Sequence, residues 1–345
     1  MLKTVAKHPF VAHTLTELAK EIYSVCYTLF KLMIPVIILV KILEEMGAIP
    51  LISQFLEPLM SLMGLPDSMG LVWTTTLLTN IYAGMLLFFQ MAPQENLSVA
   101  QVTVLSGLML IAHGLPVEVR IVQQAGVRFI AALSIRLGGA LLFGILLHHI
   151  YQWGGWLQQP VELLWSPPVV DISLKTWAIS QLESLAMIVV VISALMSLLR
   201  FLRFIHVERL MIWLLQPVLR LLGIGPQATS LTIIGITLGL SFGGGLLIRE
   251  AQTGHISKRD IFSALCLLAL CHSLIEDTLL VLLLGADISG VLWFRLLFSL
   301  VFVALMTRWL ARTSDSFQHR FLVRSINGIA SAKQTTSQTE EPRKD

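Results

Sequence analysis

Two histidines raise the first chemical question in this sequence. The stretch "LIAHGLPVEVR" (110–120) sets His113 and Glu118 in strongly apolar surroundings, and "LALCHSLIEDTLL" (268–280) does the same with His272, Glu276 and Asp277. A neutral imidazole can relay a proton, ligate a metal or hydrogen-bond inside a core. A carboxylate in an apolar run needs a partner, because an unpaired buried charge is strongly unfavourable. Arg136 and Arg295 follow each His–acid group at the same distance and are candidate partners: Glu118 with Arg136, and Glu276 or Asp277 with Arg295. The alternative is that such pairs only lock helices together. Cys266 and Cys271 lie close to His272 and raise a metal reading, but Ala112 and Gly107 hold the matching places near His113, so no thiolate site repeats. The identity of any metal stays open.

Further polar candidates lie in "WTTTLLTNIYAG" (73–84) and "SFGGG" (241–245). Thr79, Asn80 and Gly84, with Ser241, Gly243 and Gly244, could offer side-chain and unwound-backbone groups to a solute. The competing reading is that Thr and Gly only pack helices closely. Lys31 and Glu183 also fall within apolar runs and would form a gate-like pair if both faced the protein interior.

The elements that must hold these residues follow from composition. Of 345 residues, 55% are hydrophobic and 13% charged, and the mean hydropathy is +0.79. A soluble domain carries about 25% charged residues, so an all-α polytopic membrane protein is expected. Apolar runs long enough to span a bilayer lie near 22–43, 69–89, 101–120, 129–150, 177–199, 229–248, 261–283 and 291–309, since a span takes about 20 apolar residues. Two shorter runs, 51–64 and 210–223, each hold a central proline and end at glycine, as re-entrant or interfacial helices do. Pro116 predicts a kink or an unwound turn beside His113; Ile275 stands in the matching place and predicts a straighter helix beside His272. No cleavable signal peptide is expected.

The chain also repeats itself. "LEPLMSLMGLP" (56–66) matches "LQPVLRLLGIGP" (215–226), and one spacing pairs His113 with His272, Glu118 with Asp277, Gly126 with Gly285 and Arg136 with Arg295. Loop charges differ between matched loops in the sense expected of opposite topology: 90–100 has no basic residue, whereas 249–260 has Arg249, Lys258 and Arg259. The expected organisation is an N-terminal cytoplasmic segment (1–14), repeat one (15–151), an outward interfacial linker (152–173), repeat two (174–310) and a polar cytoplasmic tail (311–345). Each repeat would hold about three transmembrane helices and a hairpin-like broken-helix unit, the second inverted relative to the first, with the two histidines meeting near the bilayer centre.

These motifs resemble the Gate, or nucleoside-recognition, domain. That domain occurs in spore maturation A and B membrane proteins, in the membrane part of the ferrous-iron transporter and, distantly, in concentrative nucleoside transporters. The resemblance implies the fold more than the substrate. No "GxxxxGK[ST]" loop is present, so energising by GTP in the same chain is not expected. The expectation is a bacterial inner-membrane secondary transporter of a small polar or ionic solute, with nucleoside-like molecules and metal ions both open. The rival is a non-transporting membrane scaffold of the spore-maturation type. No enzyme activity, cofactor or nucleic-acid partner is expected; the partners would be the lipid bilayer, the solute and a second copy of the chain.

Overall fold

The computed structural model describes residues 9–163, 174–221, 224–238 and 256–323, and every regular element among them is helical. Four helices, or portions of them, are long and apolar enough to cross a membrane: Thr16–Leu43, Phe129–Gly154, Lys175–Leu202 and Ser289–Arg312. A bent pair, Val99–Ile111 with Leu115–Gln124, makes a fifth if it counts as one span. The chain is an all-α polytopic membrane protein.

In chain order the first half holds α1 (Pro9–Glu45), α2 (Ala48–Ser61), α3 (Met69–Leu78), α4 (Ile81–Met91), α5 (Val99–Ile111), α6 (Leu115–Gln124) and α7 (Phe129–Gly154). The second holds α8 (Leu174–Phe204), α9 (Val207–Leu221), α10 (Pro226–Leu238), α11 (Lys258–Leu270), α12 (Glu276–Leu282) and α13 (Arg295–Arg312), the last preceded by a π-helical turn, Ser289–Phe294. Burial separates them into layers. Every residue from 261 to 274 is buried, as is every residue from 102 to 114, so α11 and α5 form the centre. A helix that is apolar on all faces belongs in a protein or lipid interior. In α1 and α8 only 12% and 11% of the most apolar window is buried, which leaves their hydrocarbon faces for lipid.

Three expected spans are interrupted. The run 69–89 breaks at Thr79–Asn80, where the Asn80 side chain accepts from the Ala83 amide and starts α4. The run 101–120 breaks after Ile111; Gly114 adopts φ +53°, Pro116 stands in the first turn of α6, and the two axes differ by 42°. The run 261–283 breaks after Leu270, with Ser273 at φ +46°. This corrects the expectation of a straighter second helix. No proline is needed there, because the freed carbonyls find an arginine, as shown below. The short runs 51–64 and 210–223 form α2 and α9, and each tolerates its internal proline. The run 229–248 is described only as far as Leu238.

Local geometry recurs between the halves. Ser98 caps α5 by accepting from the Gln101 amide, and Ser257 caps α11 by accepting from the Asp260 amide. The Gly114 amide donates to the Thr76 carbonyl at 3.0 Å, and the Leu274 amide to the Ile236 carbonyl at 2.8 Å. Gly126 and Gly285 both take positive φ, +101° and +88°, which an L side chain adopts only under strain.

Contacts sort the loops into two groups. Val161 bonds Leu97, Val99 bonds Gln159, Asp287 bonds Thr103, and Tyr151 meets Ser289. Separately, Arg128 bonds Leu322, Val127 bridges to Val323, and Arg259 bonds Thr307. Helix α7 runs from the second group to the first, and its 26 residues are about 39 Å long, enough to span a hydrocarbon core.

Candidate functional site: a buried imidazole–carboxylate centre

The site forms where two helix breaks meet. At each break the chain leaves the helix one residue before the histidine, so the backbone carbonyls at the end of α5 and of α11 lose their intrahelical partners. Two arginines serve these ends. Arg136 Nη2, from α7, donates to the His113 carbonyl at 3.1 Å. Arg295 donates through Nε to the Leu270 carbonyl at 3.2 Å and through Nη2 to the His272 carbonyl at 2.9 Å. Both arginines are fully buried. A cation at a helix C-terminus is favoured by the exposed carbonyl dipoles.

The arginines thereby fix the histidine backbones, and each imidazole is fixed again on its own side. His113 Nδ1 lies 2.9 Å from the Met109 carbonyl, and His272 Nδ1 lies 2.7 Å from the Leu268 carbonyl. A carbonyl only accepts, so Nδ1 carries the hydrogen and each neutral ring presents the bare lone pair of Nε2. These two Nε2 atoms face one another at 3.2 Å. Glu118 Oε1 completes a triangle, 3.1 Å from His113 Nε2 and 3.2 Å from His272 Nε2. The other oxygen of Glu118 is ion-paired with Arg136 Nη1. Asp277 approaches from α12: its Oδ2 lies 4.0 Å from His113 Nε2, is buried, and has no hydrogen-bond partner.

The structure therefore brings together His113, His272, Glu118, Arg136 and Asp277, all drawn from sequence patterns. The Arg295 partner differs from the expectation. Arg295 makes no ion pair with Glu276 or Asp277; its Nε and Nη2 donate to carbonyls, including that of Leu110 at 3.3 Å, and its Nη1 is buried without a hydrogen-bond partner. The break after Leu270 makes those carbonyls available, and Asp277 turns instead toward the first histidine. Glu276 sits beside it in the first turn of α12.

The Thr–Asn segment plays a supporting part. Thr79 Oγ1 donates to the Thr75 carbonyl at 2.6 Å, and the break at Thr79–Asn80 lies against the break at Gly114, where an added Cβ would meet the Thr79 carbonyl oxygen at 3.3 Å. Asn80 Nδ2 is buried without a partner. Gly84 is a close-packing position, filled by the Thr76 hydroxyl and Met109. Ser241, Gly243 and Gly244 lie outside the described residues. Lys31 and Glu183 are both exposed on the outer helices α1 and α8 and form no ion pair with one another, which corrects the gate-like pairing: each helix buries another face. Cys266 and Cys271 are buried but stand outside the group of ligand atoms formed by His113, His272 and Asp277.

Sequence reasoning missed the arginine–carbonyl bonds. They have no signal beyond the recurrence of Arg136 and Arg295, since a backbone carbonyl leaves no mark in a sequence.

Fold and site define a polytopic membrane protein with a buried, arginine-supported imidazole–carboxylate centre. Residues 26–126, which include His113 and Glu118, match the Gate family, described as nucleoside recognition. The chain is 27% identical over 295 residues to the uncharacterized membrane protein YvoD of Bacillus subtilis (strain 168), covering 84% of this chain and 92% of that one. No solved structure matches the chain significantly.

Proposed function

We propose that the protein is a secondary transporter of a small polar or ionic solute in a bacterial inner membrane, with its site between two inverted repeats. One observation carries this reading: two broken helices present histidines and carboxylates to one another in the middle of an apolar protein. Broken helices that expose polar groups at membrane depth are tolerated only in a protein interior or beside a water-filled path. Intramembrane ionisable groups commonly mark pathways.

The loop contacts support the inversion. In chain order α5 and α6 lead from the loop group of Leu97 and Thr103 to that of Val127. The pair α11 and α12 leads from Arg259, in the second group, to Gly285, beside the first. Opposed repeats around one polar centre suit alternating access. The lack of basic residues in 90–98, against Arg128 and Arg259, supports an outward first group and cytoplasmic termini. No catalytic step is assigned to the site.

The test is uptake by proteoliposomes of purified protein across nucleosides, amino acids, inorganic anions and divalent cations. Concentrative or counterflow uptake of any one of them is expected. Uptake equal to that of empty liposomes for all of them would favour the scaffold reading, in which the polar groups serve packing alone.

A further inference from the structure

The triangle of His113 Nε2, His272 Nε2 and Glu118 Oε1 has a chemical difficulty. Its sides are 3.1, 3.2 and 3.2 Å, yet with neutral rings and an ionised carboxylate all three corners are acceptors. Each imidazole hydrogen is committed to a carbonyl on the far side of its ring. Nothing among the described residues donates into the triangle, and Arg136 reaches only the other carboxylate oxygen. Three lone pairs at such distances repel unless a positive species, either a proton on one imidazole or a metal cation, lies among them.

We propose that this species is a divalent transition-metal cation, held by His113, His272, Glu118 and Asp277. Three observations support it. First, the spacings fit. Donors about 2.1 Å from a tetrahedral metal lie about 3.4 Å from one another, and octahedral neighbours lie about 3.0 Å apart. Second, a further ligand stands by: Asp277 Oδ2 is buried without a partner, and His113, His272 and Asp277 each offer one ligand atom within 4.8 Å of the others. Third, the outer shell is already built. A metal-ligating histidine ordinarily donates its other ring hydrogen to a carbonyl or carboxylate, as both do here. Ligating carboxylates are themselves held, as Glu118 is by Arg136.

The donor set selects the class of ion. Two imidazole nitrogens and two carboxylates suit Zn²⁺, Fe²⁺, Co²⁺ or Mn²⁺. Thiolate is missing from the set, so it disfavours Cu⁺, and the nitrogen donors disfavour Mg²⁺ and Ca²⁺. As an account of the cargo this rests on the transport reading above; as an account of binding it does not.

The experiment is equilibrium titration of the purified full-length protein with Co²⁺, followed by visible absorption and by calorimetry, alongside Co²⁺ uptake into proteoliposomes. Wild type is expected to bind one Co²⁺ per chain with d–d bands and without the intense near-ultraviolet bands of a cobalt–thiolate bond. His113→Ala and His272→Ala should each weaken binding by at least about tenfold, while the exposed His149→Ala should bind as wild type. His272→Gln and Asp277→Asn, of nearly unchanged volume, repeat the test if the alanine variants do not fold. Binding without uptake would uphold the site and refute cation transport. Absence of saturable Co²⁺ and Zn²⁺ binding by folded wild type, or binding that survives loss of both histidines, would overturn the metal site even if another solute were carried.

Discussion

Arg295 is hydrogen-bonded to Leu110. Its Nη2 reaches the Leu110 carbonyl at 3.3 Å while the same guanidinium holds the Leu270 and His272 carbonyls. One side chain thus ties the end of α5 to the end of α11 and sets the separation of the two histidines. The planar fork of arginine can serve several acceptors at once; a lysine ammonium at the end of a flexible stem cannot reproduce that geometry.

Arg295→Lys is therefore expected to lower the apparent melting temperature of the purified protein nearly as far as Arg295→Met does. A hydrogen bond to a charged group contributes about 1.5–3 kcal/mol, so a loss of about 3 kcal/mol or more is expected for either variant. Wild-type stability in Arg295→Lys would show that charge alone is required.

The ion pair of Glu118 and Arg136 invites a double-mutant cycle. Arg136→Ala should destabilise more than Glu118→Ala and Arg136→Ala combined, because the single change leaves a buried carboxylate unpaired. Such an orphan costs about 3–5 kcal/mol. Additive changes in thermal stability would mean that the two side chains do not interact.

Much of this site could be read from residue types. His113, His272, Glu118, Asp277, Arg136 and Arg295 stood out because polar letters recurred at one spacing within apolar runs. The break beside His113 was legible through Gly114 and Pro116. The break beside His272 was not, because Ser273 and Ile275 carry no such sign; it is held by Arg295 bonds to carbonyls, a tertiary effect that overrides local preference. The partner of Arg295 was misplaced for the same reason. Which way Lys31 and Glu183 face was not legible, because in lipid-facing helices an apolar neighbourhood does not distinguish the inner face from the outer.

Gly114 tests the first break. With φ +53°, a side chain here is strained by about 1–2 kcal/mol, and its Cβ would also press on the Thr79 carbonyl oxygen. Gly114→Ala should lower stability by at least that amount. Gly138→Ala, whose Cβ would meet nothing within 4 Å on α7, should be neutral or stabilising by up to about 1 kcal/mol. Equal effects of the two in a thermal melt would contradict the assigned backbone.

Topology can be checked by labelling single cysteines in intact cells, with Cys26, Cys266 and Cys271 replaced. Cysteines at Gln94 and Gly154 should react with an impermeant reagent from outside, and one at Arg128 only after the cells are opened. Labelling of positions 94 and 128 from the same side would refute the crossing formed by α5 and α6.

The central claim is that the paired histidines form the solute site. Its most direct test is flux through wild type and the double variant His113→Gln with His272→Gln, reconstituted in equal, correctly folded amounts, for whichever solute the wild type carries. The account predicts that the double variant falls to the level of empty liposomes while its melting temperature changes little. Undiminished flux in the double variant would contradict it.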